Sequence, residues 1–238
     1  LMFQSNKEYI DFLIQSGVHT FLKETPNNLL ETKELKEKSF KKKDAKALED
    51  IYEINELISL IVNQESILKK TAKKLVLYDG DLKSNLMIIG EAPGQEEDEK
   101  GIPFVGRAGQ LLNKMLSAIK LERKNVYITN VLPWRIPQDR TPTDQEILDF
   151  LPFLQKQIEI IKPKIIYLLG TTAAKAILST PLSLEKLRGK WYEYKSINLD
   201  TSINDLVSYH PAFLLRSPNY KKDAWSDLQI LEKKINEN

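Results

Sequence analysis

The spacing of hydrophobic residues changes near residue 86 of this chain. From there to the C terminus, short apolar runs alternate with segments in which apolar residues recur at helical spacing. The runs predict β-strands at residues 86–89, 125–131, 165–169 and 205–209, with a further strand or hairpin at 191–197. The intervening segments predict helices at residues 108–119, 143–158, 171–178 and 220–235. This alternation is typical of an α/β domain with a mostly parallel sheet.

Apolar residues in the first eighty positions follow a helical period without such strands. Residues 9–22 and 47–70 show this period, and a lysine-rich, low-complexity segment at 33–46 separates them. A charge run of this kind is typical of a solvated linker, and contact with a DNA backbone is the alternative. We therefore predict a helical extension over residues 1–80 and an α/β domain over residues 81–238.

Composition excludes several classes of function. Cysteine is absent, which removes disulfides, thiol catalysis and cysteine-ligated metals together. No apolar run approaches the roughly 18 residues of a membrane span, and no signal-peptide pattern is visible at the start. We therefore expect a cytoplasmic protein without a membrane partner. The formal net charge of +2 is too small to indicate nucleic-acid binding by itself.

Residues 86–112 hold the densest group of candidate ligand-binding residues. Gly90 ends the first strand, and the turn Glu91-Ala92-Pro93-Gly94 allows the backbone to approach a ligand closely. Phe104 follows in a second turn-rich segment that leads into a helix. Open α/β sheets place their ligand crevices at the carboxyl ends of strands, so this stretch predicts a binding site. An ordinary strand–loop–helix crossover with an acidic loop is the alternative.

Three predicted strands end at polar side chains, namely Glu91, Asn130 and His210. Each residue alone is weak evidence for a functional site, because an asparagine after a strand is often a turn former and a single histidine is often a satisfied polar group. Together they are stronger, since the carboxyl ends of such strands converge on one crevice. The chain shows neither a nucleophile–base pair of the Ser-His-Asp kind nor the G-K-[ST] of a phosphate-binding loop.

Four motifs carry a resemblance to a known family. They are G-E-A-P-G at 90–94, G-I-P-F-V-G-R-A-G-Q-L-L at 101–112, T-N-V at 129–131 and H-P-A-F-L-L-R at 210–216. In this order they resemble the uracil-DNA glycosylase superfamily, most closely its family 4, the iron-sulfur type. The resemblance covers residue 86 to the C terminus. It implies a three-layer α/β/α sandwich around a four-stranded, mostly parallel sheet. It also implies a monomer that flips deoxyuridine out of DNA and hydrolyses its N-glycosidic bond, leaving an abasic site.

The resemblance also implies roles for individual residues. Phe104 would stack on uracil, and the amide of Asn130 would read the base edge by donating to O4 and accepting from N3–H. His210 would stabilise negative charge at uracil O2. Glu91 would orient the attacking water and stabilise the cationic sugar, and Glu97 matches a recurrent position near the site.

Further positions of the motifs would hold the substrate. The backbone of Ala92 and Gly94 would contact phosphates or the uracil edge. Arg107, Leu214 and Arg216 are expected to contact DNA, because the 210–216 motif corresponds to the loop that fills the space left by the flipped base. The expected partner is therefore uracil-containing DNA.

The sequence departs from family 4 in one respect. Members of that family bind a [4Fe–4S] cluster through four cysteines. Here the corresponding positions fall on Trp134, on Phe150 and within residues 68–74, all without cysteine. We therefore expect a cluster-free branch with no cofactor and no metal, in which aromatic packing replaces the cluster. Residues 101–110 contain no histidine, so the covalent crosslinking activity of some relatives is not expected.

Two alternatives from other classes stay open. One is a catalytically weakened DNA-binding or repair-interaction module of the same fold, against which the retention of Glu91, Phe104, Asn130 and His210 argues. The other is an enzyme that acts on free nucleotides, against which the DNA-entering motif at residues 210–216 argues.

Overall fold

The computed structural model describes residues 48, 50–196 and 198–237. By its contacts the chain divides into two compact units, Leu1–Lys41 and Lys42–Asn238. All the described residues belong to the second unit. The helix expected at residues 9–22 and the lysine-rich segment at 33–46 lie outside the described residues.

Strands and helices alternate through the described part. The strands are β1 (Tyr78–Gly80), β2 (Leu86–Gly90), β3 (Tyr127–Asn130), β4 (Ile165–Leu169), β5 (Trp191–Tyr194) and β6 (Ile203–Ser208). The α-helices are α1 (Ile54–Asn63), α2 (Ile67–Thr71), α3 (Gln95–Lys100), α4 (Arg107–Ala118), α5 (Asp144–Ile161), α6 (Thr171–Leu178), α7 (Leu184–Leu187), α8 (Pro211–Arg216) and α9 (Lys221–Asn236). Short 3-10 turns lie at Arg123–Asn125, Pro137–Asp139 and Pro218–Tyr220. Among the described residues, no helix combines the length and apolar character that a membrane crossing needs.

The strands form one sheet in the order β1-β3-β2-β4-β6-β5. β3, β2, β4 and β6 pair in parallel, whereas β1 and β5 pair antiparallel at the two edges. The predicted α/β class with a mostly parallel sheet is thus confirmed, but the sheet has six strands where the resemblance implied four. β1 escaped prediction because its three residues, Tyr-Asp-Gly, carry no apolar alternation.

Helices cover both faces of the sheet. Ile88 and Ile128 point to a buried cluster with side chains from α4, α8 and α9. On the opposite face, the hydroxyl of Tyr127 donates a hydrogen bond to Oε1 of Gln157 in α5 at 2.9 Å. Every residue of β2 and β4 is therefore buried, which explains their uninterrupted apolar sequences.

The domain begins earlier than the predicted boundary after residue 80. β1 is a strand of the sheet, and α1 packs against α5. The backbone N–H of Val76 also donates to the carbonyl oxygen of Pro133 at 2.9 Å. The described residues from 54 onward thus pack with the α/β unit. Helical spacing identified α1 correctly but could not reveal what it packs against.

Candidate active site

The carboxyl edge of the parallel strands opens into a cavity of about 720 Å³. Glu91 follows β2, Asn130 ends β3 and His210 follows β6, and all three line this cavity with Phe104. The strands are neighbours in the sheet, so side chains from distant parts of the sequence meet at one edge. The structure therefore brings together the four residues that the sequence singled out.

Phe104 forms one wall of this cavity. Its ring centroid lies 5.6 Å from that of His210, with 33° between the ring planes, and the residue is only 5% exposed. A methyl group on Gly90 would lie 2.4 Å from both the Phe104 ring and the Asn130 Oδ1 atom. Glycine at this position therefore lets the aromatic ring and the amide approach each other across the strand end.

The backbone of Phe104 adopts an unusual conformation. Its φ angle is +52°, in the left-handed region that side chains other than glycine rarely occupy. A Cβ atom on Gly109 would lie 1.8 Å from the Phe104 carbonyl oxygen, so only glycine fits beneath this turn. The close packing of the Phe104 backbone on Gly109 in α4 thus stabilises this conformation.

Arg123 holds the carbonyl side of this loop. Its Nη1 atom donates to the carbonyl oxygen of Phe104 at 2.8 Å, and its Nη2 atom donates to the carbonyl oxygen of Pro103. Its Nε atom pairs with the carboxylate of Asp79 in β1. Sequence reasoning missed Arg123, because its partners are backbone atoms and a strand that the pattern did not predict.

Glu97 holds the amide side of the same loop. Its Oε1 atom accepts hydrogen bonds from the backbone N–H groups of Val105 at 2.9 Å and Gly106 at 2.8 Å. The side chain lines the cavity, as expected from its motif, but the residue is only 8% exposed and this oxygen is engaged by the backbone. In this structure Glu97 supports the loop that carries Phe104.

Asn130 presents an unsatisfied acceptor. The residue is 4% exposed, and its buried Oδ1 atom has no hydrogen-bond partner among the described residues. Buried side-chain oxygens are rarely left unpaired, because losing water without a replacement costs about 1–3 kcal/mol. The cavity therefore fits a ligand that carries an N–H donor to this point.

His210 is fixed in one tautomer. It is the N-cap of α8, and its Nδ1 atom accepts a hydrogen bond from the backbone N–H of Ala212 at 3.2 Å. Nδ1 therefore carries no proton, which leaves Nε2–H as the donor of a neutral ring. Burial, together with the smaller effect of the positive charge of Arg216, lowers the pKa of His210 to about 4. The ring is neutral at physiological pH.

Glu91 is half-buried beside the start of α6. The Thr172 hydroxyl donates a hydrogen bond to its Oε2 atom. Thr172 belongs to the first turn of α6, directly after β4, and sequence reasoning missed it. The turn at Ala92 and Gly94 lines the same cavity.

The residues expected to contact DNA separate into two groups. Arg107, at the start of α4, and Arg216, which also lines the cavity, are exposed. Leu214 is 1% exposed and packs in the buried cluster with side chains of α4 and α9, so it does not lie at the surface in this conformation, and its entry into DNA stays a prediction. The cavity also includes the exposed cationic residues Arg140 and Lys175, which sequence reasoning missed.

The side chains at the positions corresponding to the cluster cysteines do not fit an iron-sulfur cluster. Trp134 and Phe150 are 5% and 2% exposed, and neither an indole N–H nor a phenyl ring can replace a thiolate. The buried Trp134 Nε1 atom has no hydrogen-bond partner among the described residues. Within the described part, no group of three or more His, Asp or Glu side chains could hold a metal ion.

Comparisons with known proteins agree with this geometry. The family model described as the uracil DNA glycosylase superfamily matches residues 77–229. A Type-4 uracil-DNA glycosylase of Pyrobaculum aerophilum is 39% identical over 183 residues, which cover 75% of this chain and 92% of that protein. A Type-4 enzyme of Archaeoglobus fulgidus is 39% identical over 68% of this chain and 82% of its own length. One of Thermotoga maritima is 37% identical over 70% and 88%, respectively.

Proposed function

The chain belongs to the uracil-DNA glycosylase superfamily, and we propose that it excises uracil from DNA. In the proposed reaction, deoxyuridine is flipped out of the strand, and its N-glycosidic bond is hydrolysed to give free uracil and an abasic site. The observation that carries the proposal is the unpaired, buried Oδ1 atom of Asn130 in a cavity shared with Phe104 and His210. This combination fits a flat base with an N–H donor on its edge.

Base recognition uses Phe104 and Asn130. The phenyl ring offers a flat surface on which a flipped base stacks. Oδ1 of Asn130 accepts from uracil N3–H, while the amide nitrogen donates to O4. Cytosine presents an acceptor at N3 and a donor at N4. The amide oxygen of Asn130 would therefore face another acceptor, and its nitrogen would face another donor.

His210 acts on the leaving group. As the bond between sugar C1′ and uracil N1 breaks, its electron pair leaves with the base, and negative charge develops on uracil O2. The Nε2–H of the neutral ring donates to that oxygen and stabilises the anion. The hydrogen bond that the backbone N–H of Ala212 donates to Nδ1 keeps the ring proton on Nε2 before the reaction begins.

Glu91 acts on the sugar and the water. Its carboxylate stabilises the positive charge that develops at C1′ as uracil leaves. It also orients a water molecule whose oxygen adds to C1′, and it accepts the proton that this water loses. The uracil anion is then protonated by solvent, so the reaction needs no redox partner or Lewis acid.

The exposed arginines Arg107 and Arg216 bind the DNA backbone. Each contact with a phosphate releases a counterion, so affinity for DNA falls as salt rises. We propose that the protein acts as a monomer, because one chain supplies every group that the reaction uses.

The test is excision from oligonucleotides that contain a single uracil, in single- and double-stranded form. Alkali should then cleave the strand at the uracil position, while matched strands with thymine or cytosine there stay intact. Binding without cleavage would favour a DNA-binding module instead. Release of uracil from free deoxyuridine monophosphate would favour an enzyme of nucleotide metabolism.

A further inference from the structure

Glu91 receives a hydrogen bond from a residue 81 positions away. The donor is the hydroxyl of Thr172, and the acceptor is Oε2 of the carboxylate. Thr172 is only 8% exposed, and its neighbours Ala173 and Ala174 are fully buried. The hydroxyl is therefore held on a rigid helical turn that packs against β4 and β2.

This hydroxyl is not used by its own helix. The N-cap of α6 is Gly170, and no side chain caps that helix end. A threonine in a first helical turn commonly satisfies backbone groups of its own helix, whereas here the Thr172 hydroxyl serves another element. Its contact with Glu91 thus needs an explanation other than helix stability.

The two carboxylate oxygens of Glu91 differ in their hydrogen bonding. A hydroxyl has one proton to donate, and Thr172 gives it to Oε2, so Oε1 remains to accept from another group in the cavity. The hydrogen bond also places the carboxylate beside the first turn of α6. A charged, oriented carboxylate is what stabilisation of a cationic sugar requires.

We propose that Thr172 is a positioning residue, which fixes the Glu91 carboxylate so that Oε1 addresses the attacking water and the sugar. The inference rests on the role of Glu91 in the proposed function. Thr172 itself touches neither the base nor the water; it acts through Glu91. Its effect therefore belongs to the chemical step and not to DNA binding.

Thr172→Val tests the proposal, because valine keeps the branched shape and removes the hydroxyl. We expect the single-turnover rate of uracil excision to fall about 10- to 100-fold, the loss typical of one hydrogen bond to a charged group. The dissociation constant for uracil-containing DNA should stay unchanged. Thr172→Ser, which keeps the hydroxyl, should restore most of the rate. Thr180→Val, outside the cavity, controls for the substitution itself, and thermal unfolding of each variant checks the fold.

A double-mutant cycle with Glu91→Ala shows whether the effect passes through Glu91. Thr172→Val should slow excision in the unmodified protein and have no further effect in the Glu91→Ala background. An equal loss in both backgrounds, or full activity of Thr172→Val, would overturn the proposal while leaving Glu91 in its role. Unchanged excision by Glu91→Ala alone would instead refute the part of the proposed function on which the inference rests.

Discussion

Nη1 of Arg123 lies 2.8 Å from the backbone carbonyl oxygen of Phe104 and donates a hydrogen bond to it. The guanidinium group, which lies outside the cavity, thereby fixes the backbone of the residue that we propose stacks on the base. Glu97 holds the following amides from the other side. The guanidinium group of Arg123 and the carboxylate of Glu97 thus hold the backbone on either side of Phe104, which keeps its φ angle in the left-handed region.

Arg123→Lys should weaken base binding, because an ammonium group cannot donate to two carbonyls and a carboxylate in a planar fork. We expect kcat/KM for uracil excision to fall about 10- to 100-fold, with a matching loss in inhibition by free uracil. Lys124→Ala, an exposed neighbour with no partner in the loop, is the control. Unchanged inhibition by uracil would show that the fork is dispensable for placing Phe104.

Asn130→Asp should weaken the discrimination between uracil and cytosine. A protonated carboxyl group can donate to cytosine N3 and accept from N4, which the amide cannot do at the same time. Excision from matched uracil and cytosine oligonucleotides measures the change, and Asn125→Asp, on the surface, is the control. An unchanged uracil rate with no excision of cytosine would remove Asn130 from the specificity role.

His210→Ala should reduce single-turnover excision by about 10²–10³, the usual loss for one donor to a developing oxyanion. Affinity for uracil-containing DNA should change little. If the loss were confined to DNA affinity, His210 would be a DNA contact and not a donor to the leaving base.

The protonation state of His210 can be measured directly. Because its pKa is lowered to about 4, nitrogen NMR at pH 6 should show a neutral ring protonated at Nε2. The unfolded chain binds this proton near pH 6.5 and the folded chain only near pH 4, so His210 makes stability fall as pH drops through that window. The other histidine, His19, is assigned by comparison with the spectrum of His210→Gln. A ring charged at pH 6 would contradict the assignment.

Asp205→Asn should stabilise the protein near neutral pH. Asp205 is fully buried in β6, neither carboxylate oxygen has a partner among the described residues, and burial raises its pKa to about 8. The unfolded chain releases this proton near pH 4 and the folded chain only near pH 8, so stability falls as pH rises between them, by up to about 4 kcal/mol at pH 7.

Urea unfolding at several pH values tests this prediction. Asp205→Asn should match the unmodified protein near pH 4 and exceed it at pH 7, while the exposed Asp200→Asn should follow the unmodified protein throughout. A variant as unstable at pH 7 as the unmodified protein would mean that Asp205 ionises freely in the fold.

The purified protein should be colourless and should keep its uracil excision in EDTA. Trp134→Ala and Phe150→Ala should each cost about 3–5 kcal/mol of unfolding free energy, because both side chains are buried. Trp225→Ala, at a position that is 42% exposed, should cost much less. A brown preparation, or activity lost to EDTA and restored by a metal, would contradict this prediction.

The sequence pattern identified the site residues at the strand ends, because the order of strands in a parallel sheet determines which strand ends lie together. Glu91, Asn130 and His210 each follow an apolar run, and the carboxyl ends of such runs must share one edge. Helical spacing also accounts for the burial of Leu214. Pro211 and Leu214 are three positions apart on the buried side of α8, whereas Phe213 and Arg216 lie on the other side.

Arg123 and Thr172 could not be found in this way. Two partners of Arg123 are backbone carbonyls, which leave no mark on the identity of the residues that carry them, and its carboxylate partner Asp79 lies in β1, which the pattern did not predict. Thr172 binds a carboxylate that is remote in sequence, and its position at the start of a helix is common for threonine. β1 was equally hidden, because an edge strand of three residues needs no apolar alternation.

The parallel order of the central strands also has a consequence for the newly made chain. The side chains around the cavity come from segments between positions 91 and 216, and they meet only after β3, β2, β4 and β6 have paired. Pairing of segments so far apart is among the slower events of folding. A partly folded chain therefore has no assembled cavity, so the excision that we propose begins only after the four strands have paired.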